Sequence, residues 1–242
     1  MTALLSSNRL RVRDVVPWRR GAGLPPGQRE LRTFPRFADD PLRRPPRMPD
    51  QHSLIVTGAL GSELRLPLTV MAATLPRAEV IADFHCVTTW SVRDLRWGGV
   101  SFASFWRDII VPTCTPATEA MYLVVEGLDG ARAVLLLADA LAEDVLLADQ
   151  LNGASLDTNH GAPLRLVSPG QYGYKNIKHV HRFEIHTHLP ASTYGPKEHL
   201  RARVALEERH SRYRPGLLRW VYRPLVPVTA LLCARSALRG PR

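Results

Sequence analysis

The stretch Phe84-His-Cys-Val-Thr-Thr-Trp-Ser91, continued by Arg96-Trp-Gly-Gly-Val100, carries the most informative residues of this 242-residue chain. The run Ala78–Cys86 has the β-branched and aromatic residues of a strand, so Cys86 falls where that strand should end. A thiolate there can act as a nucleophile or a metal ligand, because both roles need a deprotonated, partly accessible sulfur. A buried structural cysteine is the alternative, and spacing alone does not decide between the two.

A second informative stretch is rich in glycine and runs Asn159-His-Gly-Ala-Pro-Leu-Arg-Leu-Val-Ser-Pro-Gly-Gln-Tyr-Gly-Tyr-Lys-Asn-Ile-Lys178. Glycines let the backbone approach a ligand closely, and Arg165, Lys175 and Lys178 supply donors suited to a phosphate. We therefore expect an anionic ligand, with Lys175 as the solvated member of the three. An ordinary turn-rich connection is the alternative.

Charge divides the chain into three parts. Residues 1–47 hold 11 arginines and 4 acidic residues, residues 189–242 hold 11 basic and 3 acidic residues, and residues 48–188 hold 10 basic and 15 acidic residues. We predict a basic extended arm over 1–47, an acidic central domain over 48–188 and a basic helical extension over 189–242. Basic arms around an acidic body fit arms that lie on that body, or that meet an anionic partner, better than a nucleic-acid-binding fold.

The secondary-structure pattern predicts an α+β fold with mixed or antiparallel sheets, because strands and helices do not alternate as βαβ units. Strands are predicted over Ser53–Gly58, Glu63–Val70, Ala78–Cys86, Met121–Glu126, Arg132–Leu137 and, at a sheet edge, Val180–Ile185. Helices are predicted over Phe102–Ile110, Leu137–Leu147 and Pro196–Arg212.

The apolar segment Gly216–Arg235 near the C-terminus allows two interpretations. It packs on the acidic body, or it docks on an anionic membrane surface or a redox partner. Leu225–Ala234 is shorter than the ~20 residues that a bilayer span needs. Pro224 and Pro227 should interrupt the helix of an interfacial anchor. We therefore expect packing on the body or on a partner.

The two motif stretches together resemble the molybdopterin-binding domain of the sulfite oxidase family, specifically the prokaryotic branch that includes the protein-methionine-sulfoxide reductase catalytic subunit. The matching motifs lie within residues 30–187 and are His-Cys-Val-Thr-Thr-Trp-Ser, Trp-Gly-Gly-Val, Leu-Asn-Gly, His-Gly-Ala-Pro-Leu-Arg and Tyr-Gly-Tyr-Lys-x-x-Lys. The resemblance implies a sulfite-oxidase-type fold and a molybdenum-molybdopterin cofactor, with Cys86 as the catalytic metal ligand. It implies cofactor contacts from Arg36, Phe37, Gly127, His160, Arg165, Asn176, Ile177 and Lys178.

The chain departs from the family pattern at several of these positions. Gly127 stands where the methionine-sulfoxide reductase branch has a cofactor-contacting threonine, and His160 stands where that branch has asparagine. The arginine that closely follows the ligand cysteine in sulfite oxidases is missing, because Thr88–Trp90 occupies that stretch. The match therefore does not extend to a basic sulfite pocket.

We expect a molybdenum-dependent oxidoreductase that performs two-electron oxygen-atom transfer on a small substrate, either sulfite-like or an S- or N-oxide. A separate electron-transfer partner is expected because the resemblance includes no haem domain. The chain has an odd number of cysteines, which lie far apart, and the segment Met1–Leu10 is polar. Both features favour a cytoplasmic location. Two alternatives remain: a thiol-dependent catalyst using Cys86 beside His85, and a basic scaffold or nucleic-acid-binding protein without catalysis.

Overall fold

Two β-sheets form the body of the chain in the computed structural model, which describes residues 18–19, 23–38, 40–191 and 198–240. The seven-stranded sheet has the path β1-β2-β6-β9-β10, with β5 paired to β6 and β11 paired to β9. Its strands are β1 (Trp18–Arg19), β2 (Arg29–Leu31), β5 (Arg77–His85), β6 (Trp90–Ser101), β9 (Leu146–Leu151), β10 (Ala154–Ser155) and β11 (Arg165–Val167). Strands β2 and β6 are parallel, and the other pairs are antiparallel. The mixed sheets confirm the predicted α+β class.

The five-stranded sheet has the order β4-β3-β12-β7-β8. Its strands are β3 (Ser53–Gly58), β4 (Leu64–Pro67), β7 (Tyr122–Gly127), β8 (Arg132–Leu136) and β12 (Val180–His186). Strand β12 is central, parallel to β3 and antiparallel to β7, so its prediction as an edge strand was wrong. Its buried residues Val180, Phe183 and Ile185 explain the central position, because the core covers them.

Most helices are short. The short ones are α1 (Leu68–Thr74), α2 (Phe102–Phe105), a π-helical turn over Trp106–Ile110, α3 (Val111–Cys114) and α4 (Leu137–Ala140). The long one is α5 (Pro215–Leu238). The predicted helix over Phe102–Ile110 is confirmed. The predicted strand over Glu63–Val70 ends at Pro67, where α1 begins, and the predicted helix over Leu137–Leu147 stops at Ala140.

No helix forms over the described residues 198–212, so the prediction for Pro196–Arg212 was wrong there, and Pro196 and Lys197 lie outside the described residues. Ala202 and Glu207 have positive φ values of 53° and 56°, which a right-handed helix excludes. The segment pairs with the glycine-rich stretch instead: the Tyr172 amide donates to the Ala202 carbonyl at 3.0 Å.

The long helix of the C-terminal region is α5, which continues through both Pro224 and Pro227. An internal proline costs about 3 kcal/mol in a helix. Packing offsets this cost, because buried residues occur along the whole helix, from Leu218 to Ser236. The expected interruption at the prolines was therefore wrong. By length and composition α5 could cross a bilayer, which corrects the estimate from Leu225–Ala234.

Three hydrophobic clusters occur among the described residues, and the two larger ones organise the fold. The larger one fills the space beside the five-stranded sheet and includes Phe102, Phe105 and Phe183. The smaller one contains Cys86 and Trp90 of the first motif together with residues of the N-terminal region and of α5. This smaller cluster brings the first motif, residues 31–37 and α5 to one place.

Candidate functional site

Cys86 lies at the turn between β5 and β6, as the sequence predicted. The Cys86 amide donates to the Trp90 carbonyl at 2.8 Å, and the Thr89 amide donates to the Cys86 carbonyl at 3.1 Å. Thr89 closes this turn with a φ of 82°. The sulfur lies 3.1 Å from the Thr88 hydroxyl, and the residue is 9% exposed. The two strands therefore hold the thiol rigidly at their common end.

His85 is held away from Cys86 by its own hydrogen bond. Its Nδ1 lies 2.7 Å from the Ser91 hydroxyl, which donates to the Gln28 side-chain carbonyl at 3.1 Å. Burial lowers the pKa of His85, which disfavours a charged imidazole. This arrangement removes the support for a cysteine–histidine catalytic pair.

A cavity of about 340 Å³ opens on the Cys86 side chain. Four of the predicted site residues line it, namely Phe37, Cys86, Arg165 and Lys178. Tyr222, Leu225, Val226 and Thr229 of α5 close another side. The cavity thus joins the thiol of the first motif to the cations of the second.

Arg165 is a fully buried cation on one wall of this cavity. It is 0% exposed and donates to the carbonyls of His160 at 2.8 Å and Asn176 at 3.3 Å. Its guanidinium carbon lies 4.9 Å from the Trp97 ring centroid, and its Nε has no hydrogen-bond partner within the described part of the chain. Burial lowers its pKa from 12.5 to about 9. An unpartnered donor on a buried cation indicates a place for an anion.

Lys178 is the second cation of the cavity. Its ammonium donates to the carbonyls of Phe37 at 3.0 Å and Asn159 at 2.7 Å. Burial, followed by repulsion from Arg165 and Arg36, lowers its pKa from 10.5 to about 7. Among the described residues neither Lys178 nor Arg165 forms an ion pair with a carboxylate. A bound phosphate would supply the missing negative charge.

Lys175 does not belong to this pair of cations. Its ammonium is 0% exposed and forms a buried ion pair with Glu198, which also accepts from the Val134 amide. The expectation of a solvated lysine was therefore wrong. The reason is that Glu198, 23 residues further along the chain, folds back onto the glycine-rich stretch.

The other predicted cofactor contacts lie around the cavity rather than on its main wall. Asn176 and Ile177 line an adjoining cavity of about 70 Å³. The Asn176 side chain accepts a hydrogen bond from the Ser168 amide and donates one to the Ser168 carbonyl. His160 bonds Asp157 and the Phe34 carbonyl, and its own carbonyl holds Arg165. These residues shape the loop that carries Arg165.

Gly127 packs against the backbone of the Lys178 loop, and Arg36 forms hydrogen bonds with α5. A Cβ atom at Gly127 would lie 2.3 Å from the Lys178 carbonyl oxygen, so the strand and the Lys178 loop pack backbone to backbone. Arg36 donates to the Cys233 carbonyl at 3.0 Å and to the Ser236 hydroxyl at 2.6 Å. Arg36 therefore ties the N-terminal region to α5.

Sequence reasoning missed the contribution of α5 and the aromatic surroundings of Arg165. Phe34 and Phe84 lie within 5.8 Å and 5.5 Å of the guanidinium carbon, measured to their ring centroids. Trp97 and Phe84 stood in the first motif, but nothing in the sequence linked them to Arg165. The four cavity-lining residues of α5 carried no recognisable signal.

The histidines near β12 do not form a metal site. No group of three or more His, Cys, Asp or Glu side chains suited to a metal occurs within the described ranges. His179 lies 2.6 Å from the Ala162 carbonyl, and His186 lies 3.4 Å from Glu184. The candidate metal ligand among the described residues is therefore the Cys86 thiol at the cavity, and not a cluster of histidines.

Comparison with known proteins identifies related sequences. Residues 42–194 match the model of the oxidoreductase molybdopterin binding domain. The protein-methionine-sulfoxide reductase catalytic subunit MsrP of Gluconobacter oxydans is 30% identical over 59% of this chain and 49% of its own length. The uncharacterized oxidoreductase YuiH of Bacillus subtilis is 40% identical over 43% of this chain and 50% of its own. Gallus gallus sulfite oxidase is 28% identical over 62% and 38% of the two chains.

A solved structure supports the fold. The sulfane dehydrogenase SoxCD of Paracoccus pantotrophus superposes with a TM-score of 0.53 at 20% identity, covering 64% of this chain and 42% of that chain. The chain spans about half the length of the curated MsrP and YuiH relatives it matches.

The family match and the geometry agree on the cofactor. The matched range contains Cys86, Arg165 and Lys178. The cavity offers a thiol at one side and, at another, two cations that form no ion pair with a described carboxylate. These groups fit a molybdenum ligand and a pterin phosphate. The family match favours an oxidoreductase over the alternative of a basic scaffold. The chain belongs to the oxidoreductase molybdopterin-binding domain family, whose members include sulfite-oxidase-type enzymes that use molybdenum-molybdopterin.

Proposed function

We propose that this chain catalyses two-electron oxygen-atom transfer on a small substrate, with Cys86 as the protein ligand of molybdenum. The observation that carries the proposal is the Cys86 thiol on the wall of the cavity that also holds Arg165 and Lys178. When bound, the cofactor supplies a metal that changes its oxidation state by two electrons as oxygen is transferred. The protein holds the thiolate, binds the phosphate and shapes the substrate side.

The proposed roles of the residues follow from their contacts. Arg165 would donate its unpartnered Nε hydrogen to the cofactor phosphate, and Lys178 would supply the second charge. Phe37 faces the same cavity, with its ring 5.3 Å from Trp90, measured between centroids. Arg36 positions α5 rather than touching the cavity. Gly127, His160, Asn176 and Ile177 hold the phosphate loop in place.

The lining of the cavity favours a neutral S- or N-oxide over a sulfite-like anion. Arg165 and Lys178 are the cations among the described lining residues, and both serve the phosphate in this proposal. The remaining lining near Cys86 is apolar or hydroxyl-bearing and includes Val87, Thr88 and Thr229. A sulfite-like anion would therefore lack a charged partner there. Reduction of a sulfoxide consumes two electrons and two protons and releases the corresponding thioether and water.

A separate electron-transfer partner and a cytoplasmic location belong to the same proposal. The resemblance to the family includes no haem domain, and the partner would deliver electrons to the cofactor from outside this chain. None of the three cysteines forms a disulfide, which is consistent with a reducing compartment. Cell fractionation tests the location directly.

The proposal is tested with protein from a host that makes molybdopterin, using sulfite, a small sulfoxide and an N-oxide with artificial electron donors and acceptors. Cys86→Ser should lose more than about 100-fold in activity, because a serine oxygen is a harder ligand than a thiolate. Cys114→Ser is the matched control, since Cys114 is buried in α3 away from the cavity. Full activity of Cys86→Ser, or a purified protein with zinc in place of molybdenum, contradicts the proposal.

A further inference from the structure

The outward side of α5 carries an apolar stripe over the first half of the helix. Its exposed members follow the three- and four-residue spacing of one helix face from Leu217 through Trp220, Val221 and Leu225 to Val228. Leu225 also borders the Cys86 cavity, and the exposed Arg235 separates this run from Leu238. Trp220 is 78% exposed and Leu238 is 73% exposed. The run from Leu217 to Val228 covers about 12 residues, or about 18 Å of helix. A stripe of this length is more than scattered exposure and indicates a contact surface.

The opposite side of α5 is fastened to the body along its whole length. Its buried residues include Leu218 in the first turn, Val226 in the middle and Ser236 in the last turn. Arg219 pairs with Glu207 near one end, and Arg36 bonds the Cys233 carbonyl near the other. The helix therefore cannot cross a bilayer while these contacts persist. The exposed stripe can only lie flat against a surface.

The charge around the stripe indicates which surface this is. Residues 209–242 contain eight arginines and no aspartate or glutamate. Arg212 and Arg214 are exposed before α5 begins, and Arg235 and Arg239 are exposed where it ends. A second copy would bring these like charges together, which disfavours self-association through the stripe. An anionic lipid surface would attract both ends of the helix while the middle buries its apolar side chains.

We propose that the outward stripe of α5 docks this protein on an anionic membrane surface, with the helix lying in the plane of the bilayer. Trp220 would sit at the headgroup level, where an amphipathic ring is favoured. Tyr222, Val226 and Thr229 of α5 line the Cys86 cavity, and Leu225 reaches both the cavity and the stripe. Docking would therefore place the cavity on the side of the body that faces the membrane. The proposal concerns binding to lipid and does not depend on which substrate the enzyme uses.

The experiment measures co-sedimentation of the cofactor-loaded full chain with vesicles of phosphatidylcholine alone or mixed with phosphatidylglycerol. Binding should be at least about tenfold stronger to the anionic vesicles and should fall at high salt. The fluorescence of Trp220 should shift to shorter wavelength on binding, and Trp220→Phe should remove that shift.

Variants on α5 separate the apolar and the charged contributions. Trp220→Ser combined with Val228→Ser should weaken binding about tenfold or more, because both side chains leave water on docking. Ile81→Ser is the matched control, since Ile81 is 60% exposed on the body. Arg235→Gln and Arg239→Gln should each weaken binding about fivefold at low salt. The control for these is Arg96→Gln in β6, on the body.

Several results would overturn the proposal. They are equal binding to both vesicle types, unchanged binding of the Trp220/Val228 variant, or no vesicle binding at all. Dimerisation that this variant abolishes, without vesicle binding, would assign the stripe to a second copy instead.

Discussion

Replacing Arg165 by methionine should separate cofactor binding from the stability of the fold. Burial lowers the pKa of this guanidinium from 12.5 to about 9. The difference corresponds to roughly 5 kcal/mol of unfavourable free energy for the charged side chain without an anion beside it. Two hydrogen bonds to carbonyls and stacking on Trp97 offset most of this cost. Methionine removes both the cost and the gains while filling a similar volume.

The cofactor-free protein should therefore change its free energy of unfolding by less than about 1.5 kcal/mol in the Arg165→Met variant. The loaded protein should lose a charge-assisted contact of about 1.5–3 kcal/mol, which is about 10- to 150-fold in cofactor affinity. The assay compares denaturant unfolding and pterin content for protein from hosts with and without molybdopterin synthesis.

Lys175→Met is the contrasting control for this experiment. It removes the ammonium that pairs with the buried Glu198 carboxylate, which should destabilise the empty and the loaded protein alike by about 3–5 kcal/mol. The reasoning is refuted if Arg165→Met destabilises the empty protein as much as Lys175→Met does. Full pterin occupancy in the Arg165 variant would also refute it.

Three further predictions follow from the same site. Because burial lowers the pKa of Lys178 from 10.5 to about 7, the unfolded chain binds an extra proton between these values. Stability of the cofactor-free protein should thus rise with pH above 7, by up to about 1.4 kcal/mol per pH unit, and urea unfolding should show that Lys178→Met flattens the rise. Gly127→Thr should destabilise the protein and lower pterin content, since its Cβ would lie 2.3 Å from the Lys178 carbonyl; a stable, fully loaded variant would contradict this. Truncation before Gly216 should reduce pterin retention, because α5 walls the cavity; unchanged metal content would contradict that role.

The local part of the site was predictable from the sequence. The end of β5 at Cys86, the hairpin between β7 and β8, and the glycine-rich loop leading to Lys178 all follow from patterns within a few residues. The resemblance to the sulfite oxidase family identified the cofactor from two such stretches. The roles of individual residues at the cofactor, including those of Gly127 and Asn176, stay predictions.

The errors occurred where distant residues compete with local preference. Residues 198–212 have helical spacing but form turns, because Ala202 and Val204 bond to the glycine-rich stretch. Strand β12 looked like an edge strand, yet two neighbouring strands pair with it. In each case a long-range backbone partner supplies hydrogen bonds that no local pattern records.

The sequence by itself determined the chemistry of this protein: a thiol at the end of a strand and cations on a glycine-rich loop. Only the tertiary structure decided which cations remain available, since Glu198 neutralises Lys175 whereas Arg165 and Lys178 have no such partner among the described residues. It also placed α5 over the cavity, through contacts such as that between Arg36 and Cys233, 197 positions apart. The physical reason is that burial and ion pairing depend on which distant segments meet, and local residue patterns do not specify that meeting.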